Sequence, residues 1–285
     1  QIYPEFIRRE ESIQEGIRAL SEAKKEGLNS IIDVSTLDLG RDIKLIEQVS
    51  RESGINIICA TGTWRDIPRA FWNATSDSIA SLYQREIIEG IEGTGIKAGI
   101  IKVANDAGGV TREGEIILRA AARAQKSTNV PISTHTWAPD RVGEQQVRIF
   151  EDEGVDLNRV YIGHSNDTTD TFYLESLLDK GVWIGLDRYP GGRSPGTPDW
   201  EERTQTAMKL VSDGYGKRIM LGHDWSVTLS IDSKEGQVSR KQSNPDGYLF
   251  ITRKVLPRLK ELGASQEQID DIMVNNPRRF FEGKK

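Results

Sequence analysis

Five short apolar runs of the sequence each end on, or next to, a side chain that can bind a metal ion or move a proton. In chain order these side chains are Lys102, His135, His164, Asp187 with Arg188, and Asp224. Neutral imidazoles and a carboxylate that converge on one point form a site for Zn²⁺ or a similar divalent ion. The sequence therefore predicts a metal site, provided that the five runs are strands that end at one edge of a sheet.

Lys102 does not fit this site as an ordinary lysine, because an ammonium group has no lone pair with which to bind a cation. The residues by themselves leave three roles open: a counter-charge, a Schiff-base nucleophile, or a chemically modified side chain. The Schiff-base role would make the protein an aldolase. It would also leave the convergence of His135 and His164 without a purpose.

The third histidine of the chain, His223, is interpreted differently. It directly precedes Asp224, and adjacent residues of a strand point to opposite faces of the sheet. If Asp224 faces the site, His223 faces away from it. We therefore predict a structural role for His223 and metal-binding roles for His135 and His164.

The runs that end on these residues belong to a strand–helix repeat that extends along the chain. Amphipathic stretches such as SIQEGIRALSEAKKEG and GEIILRAAARAQKS alternate with apolar runs that are nearly continuous, as in strands covered on both faces. Such units pair in parallel through right-handed crossovers, so that all the carboxyl ends lie at one edge. The predicted strands are NSIIDVS (29–35), INIICATG (55–62), KAGIIKVA (97–104), VPISTHT (130–136), RVYIGHS (159–165), GVWIGLD (181–187) and RIMLGHD (218–224).

Eight strand–helix units would close a (β/α)₈ TIM barrel, and an open doubly wound sheet is the alternative. The sequence shows seven strands and opens on a predicted helix, EFIRREESIQEGIRALSEAKKEG, so we expect a first strand upstream of residue 1. No linker rich in Pro, Gly or Ser divides residues 1–285, which predicts a single α/β barrel domain. The turn-rich insert YPGGRSPGTPDW (189–200) is expected to be a mobile loop beside the active site.

Composition excludes several classes of function. The net charge of −5 and the pI near 5.5 do not suit a partner that is a nucleic acid or a membrane surface. The single cysteine, Cys59, cannot form an intrachain disulfide and is expected to be a buried thiol. Without a long apolar run or a signal-like start, a cytoplasmic location is expected. The basic tail NPRRFFEGKK (276–285) is expected to be solvated.

Ordered blocks of the sequence resemble the phosphotriesterase family of the amidohydrolase superfamily, which includes the phosphotriesterase-like lactonases. The blocks are GIKAGIIKVA (95–104), VPISTHT, GEQQVRIFEDEGVDLNRVYIGHSNDTTD (143–170), IGLDRYP, GHDW (222–225), NPDGYLF (244–250) and NPRRFF (276–281). The resemblance implies a TIM barrel and a homodimer. It also implies two divalent metal ions, expected to be zinc, that are bridged by a carboxylated lysine and a hydroxide.

By position, Lys102 resembles the family's lysine that reacts with CO₂ to become a bridging carbamate. His135 and His164 resemble the two ligands of the more exposed metal. Asp224 resembles the aspartate that binds the buried metal and takes a proton from the bridging hydroxide. Asp167, in HSND, resembles the next member of the proton relay.

The sequence departs from the family at the buried metal. The family supplies two further ligands from a His-x-His motif at the end of the first strand, and residues 1–285 contain no His-x-His. A first strand absent from this chain would explain both observations. The buried metal would then keep only Asp224 and the carbamate of Lys102. We therefore expect at most one well-held ion, bound by His135, His164 and the carbamate.

The pocket residues must decide between a lactone and a phosphotriester, because metal chemistry serves either substrate. By resemblance, Arg188 favours lactones, whereas Trp64 in ATGTWRDIP favours triesters. The predicted substrate-binding residues are Trp64, Arg188, Tyr189 and Trp225, with Phe71 and Trp72 as further parts of an apolar wall. We predict a lactonase that uses a metal-bound hydroxide and hydrolyses organophosphates more slowly. The alternatives are a primary organophosphate phosphotriesterase and an inactive truncated or scaffold barrel.

Arg188 is also predicted to be catalytic. Asp187 and Arg188 are adjacent on an extended strand end, so their side chains should diverge. The resemblance places Arg188 toward the pocket, where it either fixes Asp167 or donates a hydrogen bond to the ring oxygen of a lactone. Asp187 is then expected to face outward and to hold the strand end or the loop that begins at Tyr189.

Overall fold

The computed structural model describes residues 8–65, 67–192, 195–227 and 234–283, and in them strands and helices alternate. The strands are β1 Ser30–Asp33, β2 Asn56–Gly62, β3 Ile100–Ala104, β4 Ile132–His135, β5 Val160–Ile162, β6 Trp183–Leu186 and β7 Ile219–Leu221. The first helices are α1 Arg9–Lys25, α2 Ile43–Ser53, α3 Ser76–Ile88, α4 Arg112–Thr128, α5 Val142–Asp152, α6 Thr171–Asp179, α7 Trp200–Ser212 and α8 Lys234–Ser243. After them come α9 Leu256–Glu261, α10 Gln266–Asp270 and α11 Asn276–Glu282.

The seven described strands form one parallel sheet in the sequential order β1 to β7. The sheet curls in the manner of a TIM barrel, and β1 and β7 are its two edges in the described part of the chain. Each crossover helix covers the outer face of the strands that it connects, which is why the strands are apolar along most of their length. The α/β class and all seven predicted strands are confirmed. Closure by an eighth strand stays a prediction.

In the described residues the core has two layers, one on each face of the curled sheet, and a separate small cluster that packs α1 against α2. The larger layer lies between strands and helices and includes Ile101 and Val103 of β3. The smaller layer lies inside the curl and includes Ile100 and Trp183, the first residues of β3 and β6. Side chains alternate along a strand, so Lys102, two residues after Ile100, also points into the curl. The sheet thus has an apolar interior at its amino end and a polar interior at its carboxyl end.

The C-terminal segment corrects one prediction. Residues 276–282 form α11, and Phe280 is fully buried in the interior layer, with its ring centroid 6.0 Å from those of Tyr161 and Trp183. The Phe280 carbonyl also accepts a hydrogen bond from the guanidinium of Arg159. The expected solvated tail is therefore wrong over this range; residues 284 and 285 lie outside the described residues. The basic residues suggested solvation, but the aromatic side chains beside them decide the packing.

Two interpretations of composition can be compared with the structure. Cys59 on β2 is buried, and burial raises the pKa of its thiol to about 11, as expected of an unreactive cysteine. No helix in the described ranges is long and apolar enough to cross a membrane. The cytoplasmic location and the homodimer stay predictions.

Candidate active site

Three of the predicted metal ligands lie together at the carboxyl end of the sheet. Lys102, His135 and His164 are all buried, and the two imidazole rings meet edge to face with centroids 4.5 Å apart. Trp64, in the loop after β2, covers them. Its ring centroid lies 4.7 Å from that of His135 and 5.9 Å from the Nζ of Lys102.

Asp187 orients His164. One carboxylate oxygen, Oδ1, accepts hydrogen bonds from the backbone N–H of His164 at 2.7 Å and from its ring Nδ1 at 2.9 Å. The other oxygen accepts a hydrogen bond from the hydroxyl of Tyr161 at 2.9 Å. A carboxylate on one imidazole nitrogen fixes the tautomer and the orientation of a metal-binding histidine. In His164 the nitrogen that would face a metal is therefore Nε2.

The prediction that Asp187 faces outward is wrong. Counted from Trp183, Asp187 falls on the inner face of the sheet, the same face as Lys102. Gly222 leaves the space for it, since a Cβ on Gly222 would lie 2.8 Å from the Cβ of Asp187. Strand β6 ends at Leu186, so the divergence expected of adjacent strand residues does not apply to Asp187 and Arg188. Both side chains face the site.

His135 is held in the neutral form that binds metals. Burial lowers the pKa of its imidazole far below the usual range, and the neighbouring His164, Lys102 and Arg188 act in the same direction. Its Nε2 is buried without a hydrogen-bond partner among the described residues, and the Oδ1 of Asp106 lies 3.6 Å away, beyond hydrogen-bond length. An orphaned buried nitrogen costs about 1–3 kcal/mol, and a bound cation would remove that cost.

Lys102 has the environment of a reactive lysine. Burial lowers the pKa of its ammonium group to about 8, against the opposing effect of the carboxylates of Asp187 and Asp224. A lowered pKa increases the share of neutral amine at neutral pH. The neutral amine is the form that reacts with CO₂ or with a carbonyl compound.

Arg188 joins the predicted catalytic carboxylates. Its Nη1 donates to the Oδ2 of Asp167 at 2.6 Å, and its Nε donates to the Oδ2 of Asp224 at 3.1 Å. Its Nη2 lies 3.5 Å from the Nδ1 of His135. Of the two roles predicted for Arg188, the contact with Asp167 is the one present in the structure.

The fourth predicted ligand, Asp224, contacts Arg188. Its carboxylate is directed to Arg188, and no three His, Cys, Asp or Glu side chains of the described ranges lie together as a metal-binding group. The site therefore consists of two adjacent groups. Lys102, His135 and His164 form one, and Asp167, Arg188 and Asp224 form the other.

Comparison with known proteins places this chain in a family. The sequence matches the phosphotriesterase family over residues 1–281. The aryldialkylphosphatase of Saccharolobus solfataricus is 37% identical over 99% of this chain and 89% of its own length. A phosphotriesterase homology protein of Mycobacterium tuberculosis is 39% identical over 99% of this chain and 88% of its own.

The chain belongs to the phosphotriesterase family. It is a hydrolase of that family, as the resemblance implied. The N-acetyltaurine hydrolase of Dictyostelium discoideum is also 31% identical, over 93% of this chain and 72% of its own length. Because these relatives are named for different substrates, family membership leaves the substrate open.

The predicted pocket wall is only partly at the site of this phosphotriesterase-family chain. Trp64 contacts His135, but Tyr189 is fully buried in the core between the sheet and the helices. Trp72 is mostly exposed and stacks with Arg69. The indole of Trp225 lies 3.7 Å from where a Cβ on Gly247 would be, toward the segment that follows α8. Of these four residues, Trp64 is the one that the structure places against His135.

His223 behaves as predicted. Its Nε2 accepts a hydrogen bond from the backbone N–H of Ile251 at 3.3 Å, and its ring meets that of Tyr248 edge to face at 6.1 Å. These contacts lie on the helical side of the sheet. His223 therefore holds β7 against the segment that follows α8.

Two neighbours of the site were not predicted. The inward position of Asp187 could have been found by counting alternate residues from Trp183. Arg203, whose guanidinium binds Asp167 at 2.8 Å, lies on α7 among other charged residues. Nothing in the helical pattern distinguishes it from a solvated arginine.

Proposed function

We propose that this phosphotriesterase-family hydrolase is a metal-dependent lactonase that also hydrolyses phosphotriesters more slowly. The observation that carries the proposal is the convergence of Lys102, His135 and His164 beneath Trp64, with Arg188 beside them. Buried nitrogen ligands, a reactive lysine and paired carboxylates suit hydrolysis of a neutral ester.

The residues fit a divalent ion. His135 and His164 supply nitrogen ligands, and carboxylation of Lys102 would supply anionic oxygens, a set that suits zinc. Carboxylation joins the neutral Nζ to the carbon of CO₂ and releases one proton, so the low pKa of Lys102 favours it. When bound, such an ion lowers the pKa of water and polarises the ester oxygen.

The second group of the site, Asp167, Arg188 and Asp224, would carry out proton transfer. Asp224 is the more exposed of the two carboxylates and would accept the proton of the attacking water, while Asp167 is buried behind Arg188. A guanidinium cannot act as a base at neutral pH. Arg188 therefore orients both carboxylates and adds a permanent positive charge beside the leaving oxygen.

Arg188 and Trp64 favour different substrates. A planar cation next to the carboxylates can stabilise the oxygen that leaves when a lactone ring opens. The indole of Trp64 offers a flat apolar wall that suits an acyl chain or an aryl leaving group. We rank the lactone above the phosphotriester because Arg188 contacts the proton-transfer carboxylates directly. The pocket wall formed by Trp64 affects substrate binding more than the chemical step.

The test is a substrate panel measured on protein that has been stripped of metal and then titrated with Zn²⁺. Lactones should show the highest kcat/KM, an aryl dialkyl phosphate a lower one, and activity should rise with bound metal. Faster phosphotriester hydrolysis would reverse the order that we propose. A faster N-acyl amide would point to the chemistry named for the Dictyostelium relative. Metal binding without any turnover would support the scaffold alternative.

Elemental analysis tests the ligand set independently. With Lys102, His135 and His164 as ligands and no His-x-His in residues 1–285, we expect one tightly bound ion per chain. Two tightly bound ions would mean that other side chains replace the His-x-His pair.

A further inference from the structure

Two arginines, Arg188 and Arg203, bind Asp167, and only Arg188 has a role in the site described above. Its Oδ2 accepts from Arg188 at 2.6 Å, and its Oδ1 accepts from the Nη2 of Arg203 at 2.8 Å. The side chains of Asp167 and Arg203 are almost completely buried, at 2% and 1% exposure. Each oxygen of the carboxylate is thus assigned to a different cation.

Arg203 also binds the loop after β6. Its Nε donates to the backbone carbonyl of Pro198 at 2.8 Å. A Cβ on Gly191 would lie 2.2 Å from this Nε, so the loop packs directly on the guanidinium and glycine is needed there. The described parts of the insert predicted to be a mobile loop are therefore attached to α7 through Arg203.

The charges form an alternating row: Arg203, Asp167, Arg188 and Asp224, with adjacent members in hydrogen-bond contact. Arg203 donates to one oxygen of Asp167, and Arg188 contacts the other, with its Nε directed to Asp224. A carboxylate oxygen can accept more than one hydrogen bond, so Arg203 competes with Arg188 for Oδ1 and does not block it. Removal of this competitor favours a bidentate pair of Arg188 with Asp167 over the contact with Asp224.

We propose that Arg203 is a positioning residue that sets Asp167, and through it Arg188, for the reaction at Asp224. It also makes this position depend on the loop that contains Gly191 and Pro198. The inference rests on the proposed function for its catalytic consequence, but its structural part does not depend on which substrate is hydrolysed.

Arg203→Met is the direct test, with Arg159→Met as the matched control. Arg159 is equally buried and holds two backbone carbonyls, those of Phe280 and Asn129, at the opposite end of the sheet. Both variants lose a buried guanidinium, so both should melt at a lower temperature. Arg203→Met should lower kcat by about 10- to 100-fold, since misplacement of a catalytic group by about 1 Å has such an effect. KM and metal content should change little, and Arg159→Met should keep its kcat below its melting temperature.

Rescue separates positioning from general stability. Arg203→Lys keeps the buried charge but not the planar donors, so its kcat should lie between those of Arg203→Met and the unchanged protein. Added guanidinium should raise the kcat of Arg203→Met and not that of Arg159→Met. If Arg203→Met does not fold, Arg203→Lys decides: a kcat equal to that of the unchanged protein overturns the proposal. Equal losses of kcat in the Arg203 and Arg159 methionine variants also overturn it.

The assay uses whichever panel substrate the unchanged protein hydrolyses. If it hydrolyses none, the proposed function has failed, and a crystal structure of the variant decides the positioning role alone. We expect Arg188 to pair with both oxygens of Asp167 and to leave Asp224. An unmoved Arg188, still in contact with Asp224, would overturn the inference.

Discussion

Strands β3 and β1 are both short apolar strands of one parallel sheet, yet they are buried very differently. Every residue of β3 is buried, whereas no residue of β1 is, and Ile32 of β1 is 41% exposed. β3 has a strand on each side, while β1 pairs with β2 alone among the described strands. The difference teaches that local sequence makes a strand, but its neighbours decide how far the strand is buried.

The functional residues follow the same division. Lys102, His135 and His164 lie on or directly after strands with two neighbours, where burial can shift a pKa or fix a ring. On the β1 side, α1 packs on α2 through a small apolar cluster and is tied to the segment that follows α8 by ion pairs such as Glu22 with Arg253. Ion pairs that are open to solvent contribute little to stability. Among the described strands, the middle of the sheet thus has the burial that such chemistry needs, and β1 does not.

The largest effect should come from the buried lysine of β3. Lys102→Ala should remove bound metal and lower activity by at least about 10³-fold, because several kcal/mol of transition-state stabilisation depend on the ion. Short-chain carboxylates should restore part of the activity. Elemental analysis and kcat measure the two effects, and Lys97→Ala, an exposed lysine just before β3, is the control. Full activity in Lys102→Ala would remove the basis for a metal site.

The second prediction tests the burial of β3. Ile101 is fully buried between the sheet and the helices, so Ile101→Ala should lower the free energy of unfolding by about 2–5 kcal/mol. Denaturant unfolding measures it. A loss below about 1 kcal/mol would show that the middle of the sheet is packed less closely than the structure indicates.

The third prediction concerns Arg188, the second residue after β6. Arg188→His should lower lactone turnover about tenfold, or about 1.4 kcal/mol, while metal content stays the same. Phosphotriester turnover should fall less or improve, because the wall at Trp64 is unchanged. Parallel assays on both substrates provide the comparison. Loss of both activities together with metal would make Arg188 structural, and no change in either would end the preference for lactones.

The smallest effect is expected at the edge strand. Ile32→Ala should change the free energy of unfolding by about 0.5 kcal/mol, as substitutions at exposed positions do. The same denaturant experiment measures it beside Ile101→Ala. If Ile32→Ala cost as much as Ile101→Ala, the β1 edge would be covered in solution, and a second copy of the chain is the first candidate to examine by size measurement.

The sequence by itself determined the seven strands, the helices between them, and the placement of Lys102, His135 and His164 at strand ends. These features depend on hydrophobic periodicity and on the positions of polar residues within short windows, and both can be read along the chain. The structural role predicted for His223 agrees with its contacts, but β7 ends at Leu221, so the alternation rule used for that prediction does not apply to His223 and Asp224.

Tertiary structure alone decided the features that depend on contacts between distant residues. Arg203 binds Asp167 across 36 positions of the chain, and Arg159 binds the carbonyl of Phe280 across 121. Charged residues on a helix or in a tail look solvated in the sequence, because the partner that buries them belongs to another element. For the same reason the contact of Arg188 with Asp224, also 36 positions apart, became visible only in the structure.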